Sequence, residues 1–138
     1  MSIFIIYLLK PHYKSFEELE IYKLARQQCN EIWKLIINTS LGKDYKLREQ
    51  INGSSDSVMD NIAEGFGRGG NKEFINFLSY AKGSCSETKA QLQRALDRNH
   101  ITEKDYSKLS KRSQELIDQI AKFINYLKKS ERKGPKFD

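Results

Sequence analysis

Apolar residues return at three- and four-residue intervals through four successive stretches of this chain, and no stretch alternates apolar with polar as a half-buried strand does. In the first, Phe16, Leu19, Tyr22, Ala25, Cys29, Ile32, Trp33 and Ile36 share one side of a helix. Ser15 and Glu18 have capping-box spacing at its head, and the turn residues around Gly42 end it near Asn38. The second stripe, from about Tyr45, is Leu47, Ile51, Val58, Ile62 and Phe66. Its middle, Asn52-Gly53-Ser54-Ser55-Asp56-Ser57, is built of poor helix formers, Gly53 alone costing about 1 kcal/mol relative to alanine. Either packing holds this stretch helical, with Gly53, Ser54 and Ser55 admitting a close neighbour, or the helix breaks there.

The third stripe is Phe74, Phe77, Leu78, Ala81, Cys85, Thr88, Leu92 and Ala95, between a cap at Asn71 and a stop at Asn99. Thr102 caps the fourth, which carries Tyr106, Leu109, Leu116, Ile117, Ile120, Phe123, Ile124 and Leu127. Four amphipathic helices joined by short turns bury their stripes most simply as an all-α, antiparallel up-down four-helix bundle. This reading divides the chain into an N-terminal extension (1–14), the bundle (15–129) and a basic C-terminal tail (130–138). The apolar run Ile3–Leu9 is too short to span a bilayer and has no basic residue before it, so neither a signal peptide nor a membrane partner is expected.

The loop Gly65-Phe66-Gly67-Arg68-Gly69-Gly70 fits the G-x-G-x-x-G spacing of a dinucleotide site. That motif works where a strand enters the turn, and here a helix enters it, so the glycines read as a chain reversal. Arg68 and Lys72 beside the next helix start could still seat one phosphate. No cofactor or metal is expected: a di-iron bundle needs Glu-x-x-His pairs, which are absent, and His12 and His100 lie off the stripes. Cys29 and Cys85 form no C-x-x-C pair and suit a reducing cytoplasm. No nucleophile has a visible base, and the chain does not read as an enzyme. Glu64 and Glu87 read as part of a structural or subunit-interface network with Asn61, Gly65, Gly83 and Ser84, rather than as an acid-base pair.

Charge is the better lead. Lysine and arginine number 24 against 18 acidic residues, a formal +6, which favours polyanionic partners. Lys82 and Lys89 share a face of the third helix, and Arg94 and Arg98 repeat at i, i+4 near its end. Lys104, Lys108, Lys111 and Arg112 cluster in the first turns of the fourth. With Arg68 and Lys72 these are the candidate phosphate contacts of a nucleic-acid-binding protein.

The segments "FEELEIYKLA", "SVMDNIAEGFGR" and "KEFINFLSYAKGSCSE" carry a resemblance. Through Ser57, Asn61, Ile62, Ala63, Glu64, Gly65 and Arg68, then Glu73, Phe74, Phe77, Leu78, Ala81, Gly83, Ser84 and Glu87, the chain from Phe16 to about Leu127 resembles the 23S rRNA intervening-sequence protein family of bacteria. The resemblance implies an antiparallel bundle that assembles into a ring, commonly a pentamer, without known catalytic activity. A related branch, the accessory proteins of diversity-generating retroelements, binds nucleic acid and a reverse transcriptase. A homo-oligomer and a partner enzyme are therefore implied alongside nucleic acid, RNA being favoured over DNA, and a protein-protein scaffold is the alternative function. The chain departs from the pattern at Gln50–Asp56, where the family carries arginines, and at Gly70, where it often has serine.

Overall fold

The computed structural model describes residues 13–132; residues 1–12, including the apolar N-terminal run, and 133–138 lie outside it. Four helices account for most of the described chain: α1 (Glu20–Asn38), α2 (Tyr45–Gly67), α3 (Asn71–Asp97) and α4 (Glu103–Arg132). Short 3-10 turns occupy Phe16–Glu18 and Ser40–Lys43, and no strand occurs among the described residues. The helices run up and down, α1 packing on α2 and α4, and α3 packing on the same two. This is the antiparallel four-helix bundle that the stripes require. α4 continues to Arg132, so the first residues of the basic tail extend that helix.

The phase of α1 differs from the expected stripe. Its buried residues are Ile21, Ala25, Gln28, Ile32, Leu35 and Ile36, while Trp33 is 51% exposed. A buried glutamine conceals the true face from hydropathy, because Gln28 occupies the position between Ala25 and Ile32 that an aliphatic residue would normally mark. The expected capping box is absent too. Leu19 is extended and separates Phe16–Glu18 from α1, and the Glu18 carboxylate accepts from the Lys14 backbone N–H at 3.2 Å.

Gln28 belongs to a polar layer. One apolar cluster holds Ala25, Val58, Ile62, Phe74, Leu78, Leu116 and Phe123; a second holds Ile32, Leu47, Ile51, Leu92, Ile101 and Leu109. Between them every helix contributes buried polar groups: Gln28, Ser54 and Ser55, Thr88, Ser110 and Ser113. Gln28 Nε2 donates to Leu109 O and Ser113 Oγ, each at 2.9 Å, and Ser54 Oγ lies 2.8 Å from Thr88 Oγ1. The Gln91 amide, its nitrogen turned to Ser54 Oγ at 2.6 Å, extends the link. Sliding one helix by a turn would strand these groups among aliphatic side chains, at roughly 1–3 kcal/mol per orphan, so the layer sets register.

The same layer keeps α2 continuous through Asn52–Asp56. Ser54 and Ser55 are buried, and their hydroxyls bond back to carbonyls of Ile51 and Asn52 at 2.9–3.3 Å. Gly53 does not serve as the expected point of close approach: it is exposed, and an added Cβ there meets nothing within 4 Å. Gly53→Ala is therefore expected to stabilise the protein by about 1 kcal/mol through helix propensity alone, read as a rise in denaturation midpoint at unchanged m-value.

The turns follow their glycines and caps with one correction. Gly69 takes φ +88° between α2 and α3, a left-handed conformation that glycine adopts without strain. Gly70, not Asn71, is the N-cap of α3; Asn71 is buried, its Nδ2 directed at Leu127 O (3.5 Å). Asn99, at φ 60°, stops α3, and Thr102 Oγ1 accepts from the Asp105 N–H at 3.1 Å to cap α4. No helix among the described residues is long and apolar enough to cross a membrane.

Candidate nucleic-acid interface

Lys104, Lys108, Lys111 and Arg112 recur at i+3 and i+4 and so project from one side of α4 over its first turns. α1 lies alongside. Lys108 Nζ and Arg112 Nη1 each stand 4.0 Å from a different oxygen of Glu31, and Lys34 Nζ stands 3.8 Å from the same carboxylate. Three cations share one anion, which leaves an excess of positive charge, and the long, weak pairs of exposed Lys34 and Lys108 contribute little that a phosphate could not replace. Arg112 is partly sheltered, and its Nη1 has no hydrogen-bond partner.

Next to this cluster, α1 and the preceding turn border an open groove of about 710 Å³ lined by Lys23, Arg26, Lys34, Glu17, Glu31, Phe16 and Tyr22. Lys23, Arg26 and Lys34 were not among the residues the sequence singled out. Their signal was present as a basic repeat on the polar side of α1, but only the pairing of α1 with α4 makes it one surface with Lys108 and Arg112. On the other flank of α4, Lys89 of α3 donates to Gln114 Oε1 at 2.8 Å, with Lys82 two turns earlier on the same face.

The remaining candidates lie elsewhere. Lys72 in the first turn of α3 and Arg68 just before it sit at the opposite end of that helix from Arg94 and Arg98, roughly 33–39 Å from Lys72 at 1.5 Å per residue. Arg68 is engaged by Glu64 (3.4 Å) and Glu73 (3.9 Å), with its guanidinium 5.1 Å from the Phe77 ring centroid. Arg94 is exposed; Arg98 bonds to Asp44 Oδ2 at 2.9 Å.

The supposed interface network divides likewise. Asn61 Nδ2 donates to Ser57 O and Oγ at 2.8 and 2.9 Å, and Ser57 Oγ lies 2.9 Å from Ser84 Oγ across the α2–α3 seam. Gly65 is buried against Phe77 and Phe74, whereas Glu64, Gly83 and Glu87 are exposed and stand outside that cluster.

Among the described residues no group of three or more histidine, cysteine or acidic side chains gathers as a metal site. Burial pushes both thiols up to about 12, with Asp56 adding to the effect at Cys29, so neither is a ready nucleophile at neutral pH. The structure also joins a serine to a histidine that the sequence did not connect. Its hydroxyl lies 2.7 Å from His100 Nδ1, and His100 Nε2 lies 2.9 Å from Asp44 Oδ2. Hydrogen bonds from His100 and then Arg98 hold the Asp44 carboxyl below its ordinary range. As pH falls the unfolded chain therefore takes up this proton first, and protonation pulls toward unfolding. The Asp44 contribution is fully present above the ordinary carboxylate range and is lost below about pH 4. Asp44→Asn should be less stable at neutral pH and show a shallower loss below pH 4, measured as melting temperature against pH.

The pattern of the 23S rRNA-intervening sequence protein family matches residues 17–130. No curated protein matches the chain. A crystal structure at 1.70 Å of a protein of unknown function from the S23 ribosomal protein family of Bacteroides thetaiotaomicron VPI-5482 superposes with a TM-score of 0.68 at 23% identity, over 75% of this chain and 97% of that one. At that identity the likeness speaks for the fold, which is the same small helical bundle. Since the family pattern runs unbroken from the turn before α1 almost to the end of α4, the chain belongs to the 23S rRNA-intervening sequence protein family.

Proposed function

We propose that this is a cytoplasmic, homo-oligomeric protein that binds nucleic acid, RNA in preference to DNA, by contacting phosphates, and that this role is one of binding rather than catalysis. The observation that carries the reading is the convergence of Lys104, Lys108, Lys111 and Arg112 of α4 with Lys34 of α1 on one face, in a chain of formal charge +6. Such a face recognises backbone charge without reading bases. The preference for RNA, and a ring with a pentamer favoured, rest on the family resemblance. A ring would present the face several times and raise avidity without new contacts.

Fluorescence anisotropy of nuclease-treated protein against structured RNA, single-stranded RNA and duplex DNA, each across a salt series, tests the proposal. Micromolar or tighter binding with log K falling linearly in log salt is the expected result. Absence of binding to all three at low salt would sink it.

A second reading has its own observation. Trp33, Ile37 and Tyr45 are 51%, 60% and 66% exposed near the end of α1 and the start of α2, and Trp33 and Ile37 line a groove of about 370 Å³ whose other wall carries Arg48, Glu49 and Asn52. Exposed aromatic and aliphatic side chains in one region suit a protein contact, as in a scaffold that recruits a partner enzyme. A stoichiometric protein retained on the bait from nuclease-treated lysate, and lost on Trp33→Ser, would favour that reading.

A further inference from the structure

Two interhelical turns meet at one end of the bundle and bring together side chains that are sixty positions apart in the chain. Ser40 opens the 3-10 turn between α1 and α2, Asp44 closes it, and His100 lies between α3 and α4. Asp44, an ionised carboxylate also bonded by Arg98, can only accept, so His100 Nε2 carries the ring proton and donates to it at 2.9 Å. His100 Nδ1 is then left with a free lone pair, 2.7 Å from Ser40 Oγ, and the serine hydroxyl donates to it. The imidazole side chain is 16% exposed, while Ser40 itself is open to solvent. A solvent-facing hydroxyl is thus hydrogen-bonded to a sheltered imidazole whose tautomer a carboxylate fixes, the same chain of roles that activates a serine in acyl transfer, with the two ring nitrogens exchanged.

We propose that Ser40 is an acyl-accepting nucleophile, with His100 as its general base and Asp44 as a positioning residue, and that its substrates are activated acyl donors with good leaving groups, such as aryl esters, thioesters or acyl phosphates. Ser40 Oγ forms a bond to the donor carbonyl carbon as its proton passes to His100 Nδ1. The bond from that carbon to the leaving group breaks, the leaving group departs with the electron pair, and the imidazolium returns the proton to it or to water.

The surroundings decide which donors suffice. The two amides that follow Ser40 are already committed, Leu41 N–H to Thr39 Oγ1 and Gly42 N–H to Thr39 O, each at 3.2 Å. No cradle for a tetrahedral oxyanion is built from them, and amides and simple alkyl esters need one. The acyl group therefore stays on Ser40, giving a covalent modification of one group per chain rather than rapid turnover. This inference is independent of the nucleic-acid reading.

The test uses the full chain and p-nitrophenyl acetate. The expected result is a burst of p-nitrophenolate approaching one equivalent per chain, with peptide mapping placing one acetyl group on Ser40. Ser40→Ala removes the hydroxyl and its bond to His100 and abolishes the burst, with the melting temperature changed by only a few degrees. His100→Gln slows it about 100-fold, the usual worth of a positioned base. Asp44→Asn loses most of the rate and Asp44→Glu recovers part of it, a pattern that loss of packing would not give. Acetylation of Ser40 no faster than of exposed Ser79 and Ser86, or an undiminished burst in Ser40→Ala, overturns the proposal.

Discussion

Replacing Lys104, Lys108, Lys111 and Arg112 together by glutamine is expected to weaken RNA binding about a thousand-fold at 0.1 M salt. Each phosphate contact releases roughly 0.7–0.9 of a counterion, which at that salt is worth nearly a decade in affinity, so four contacts account for about three decades. The salt slope should fall by about 3 in the same variant. Lys104, Lys108 and Lys111 are exposed and Arg112 only partly sheltered, so fold stability should change by little. The comparison that gives the result meaning is Arg68→Gln with Lys72→Gln at the far end of α3, where the guanidinium is already held by Glu64 and Glu73. That pair should leave affinity within about threefold. Equal losses in both variants would mean that the protein attracts RNA through its overall charge, not through the α1–α4 face.

The fold was legible because every stripe keeps a helical period, and the third and fourth are long with few polar interruptions. The first was misphased for a local reason: Gln28 is nearly fully buried, and nothing in hydropathy separates a glutamine that bonds Leu109 O and Ser113 Oγ from one that faces water. The serine-rich middle of α2 was ambiguous because helix propensity is local, whereas Ser54 is satisfied by Thr88 and Gln91 from another helix. The basic residues were visible as charge, but whether Lys34 and Arg26 join Lys108 or Arg68 depends on which helices are neighbours. The Ser40–His100–Asp44 cluster was hidden more deeply still. Its members stand in two separate turns, and only the closing of the bundle brings them within bonding distance.

The close pairing of α2 with α3 depends on one glycine. A Cβ added at Gly65 would lie 2.6 Å from Phe77 Cβ and 3.0 Å from Phe74 Cδ1. Phe77 Cβ is fixed to the α3 backbone and cannot rotate away. Phe74 is buried and packs edge-on against Phe66 and Phe123 at centroid distances of 6.0 and 5.6 Å, so its ring has little room to retreat. Gly65→Ala must therefore push α2 from α3, a cost of about 1–3 kcal/mol or more, against a propensity gain of about 1 kcal/mol. The strain should win. A net loss of about 1–2 kcal/mol is expected, lowering the melting temperature by roughly 3–8 °C, while Gly53→Ala on the same helix raises it. Because Gly65 lies at the end of the bundle away from Lys104–Arg112, the folded fraction of the variant should bind RNA with affinity within about threefold of the parent. Stabilisation by both substitutions would mean that α2 and α3 are farther apart than the Phe77 contact requires, and a lost RNA affinity in folded Gly65→Ala would move the binding surface toward the α2–α3 turn.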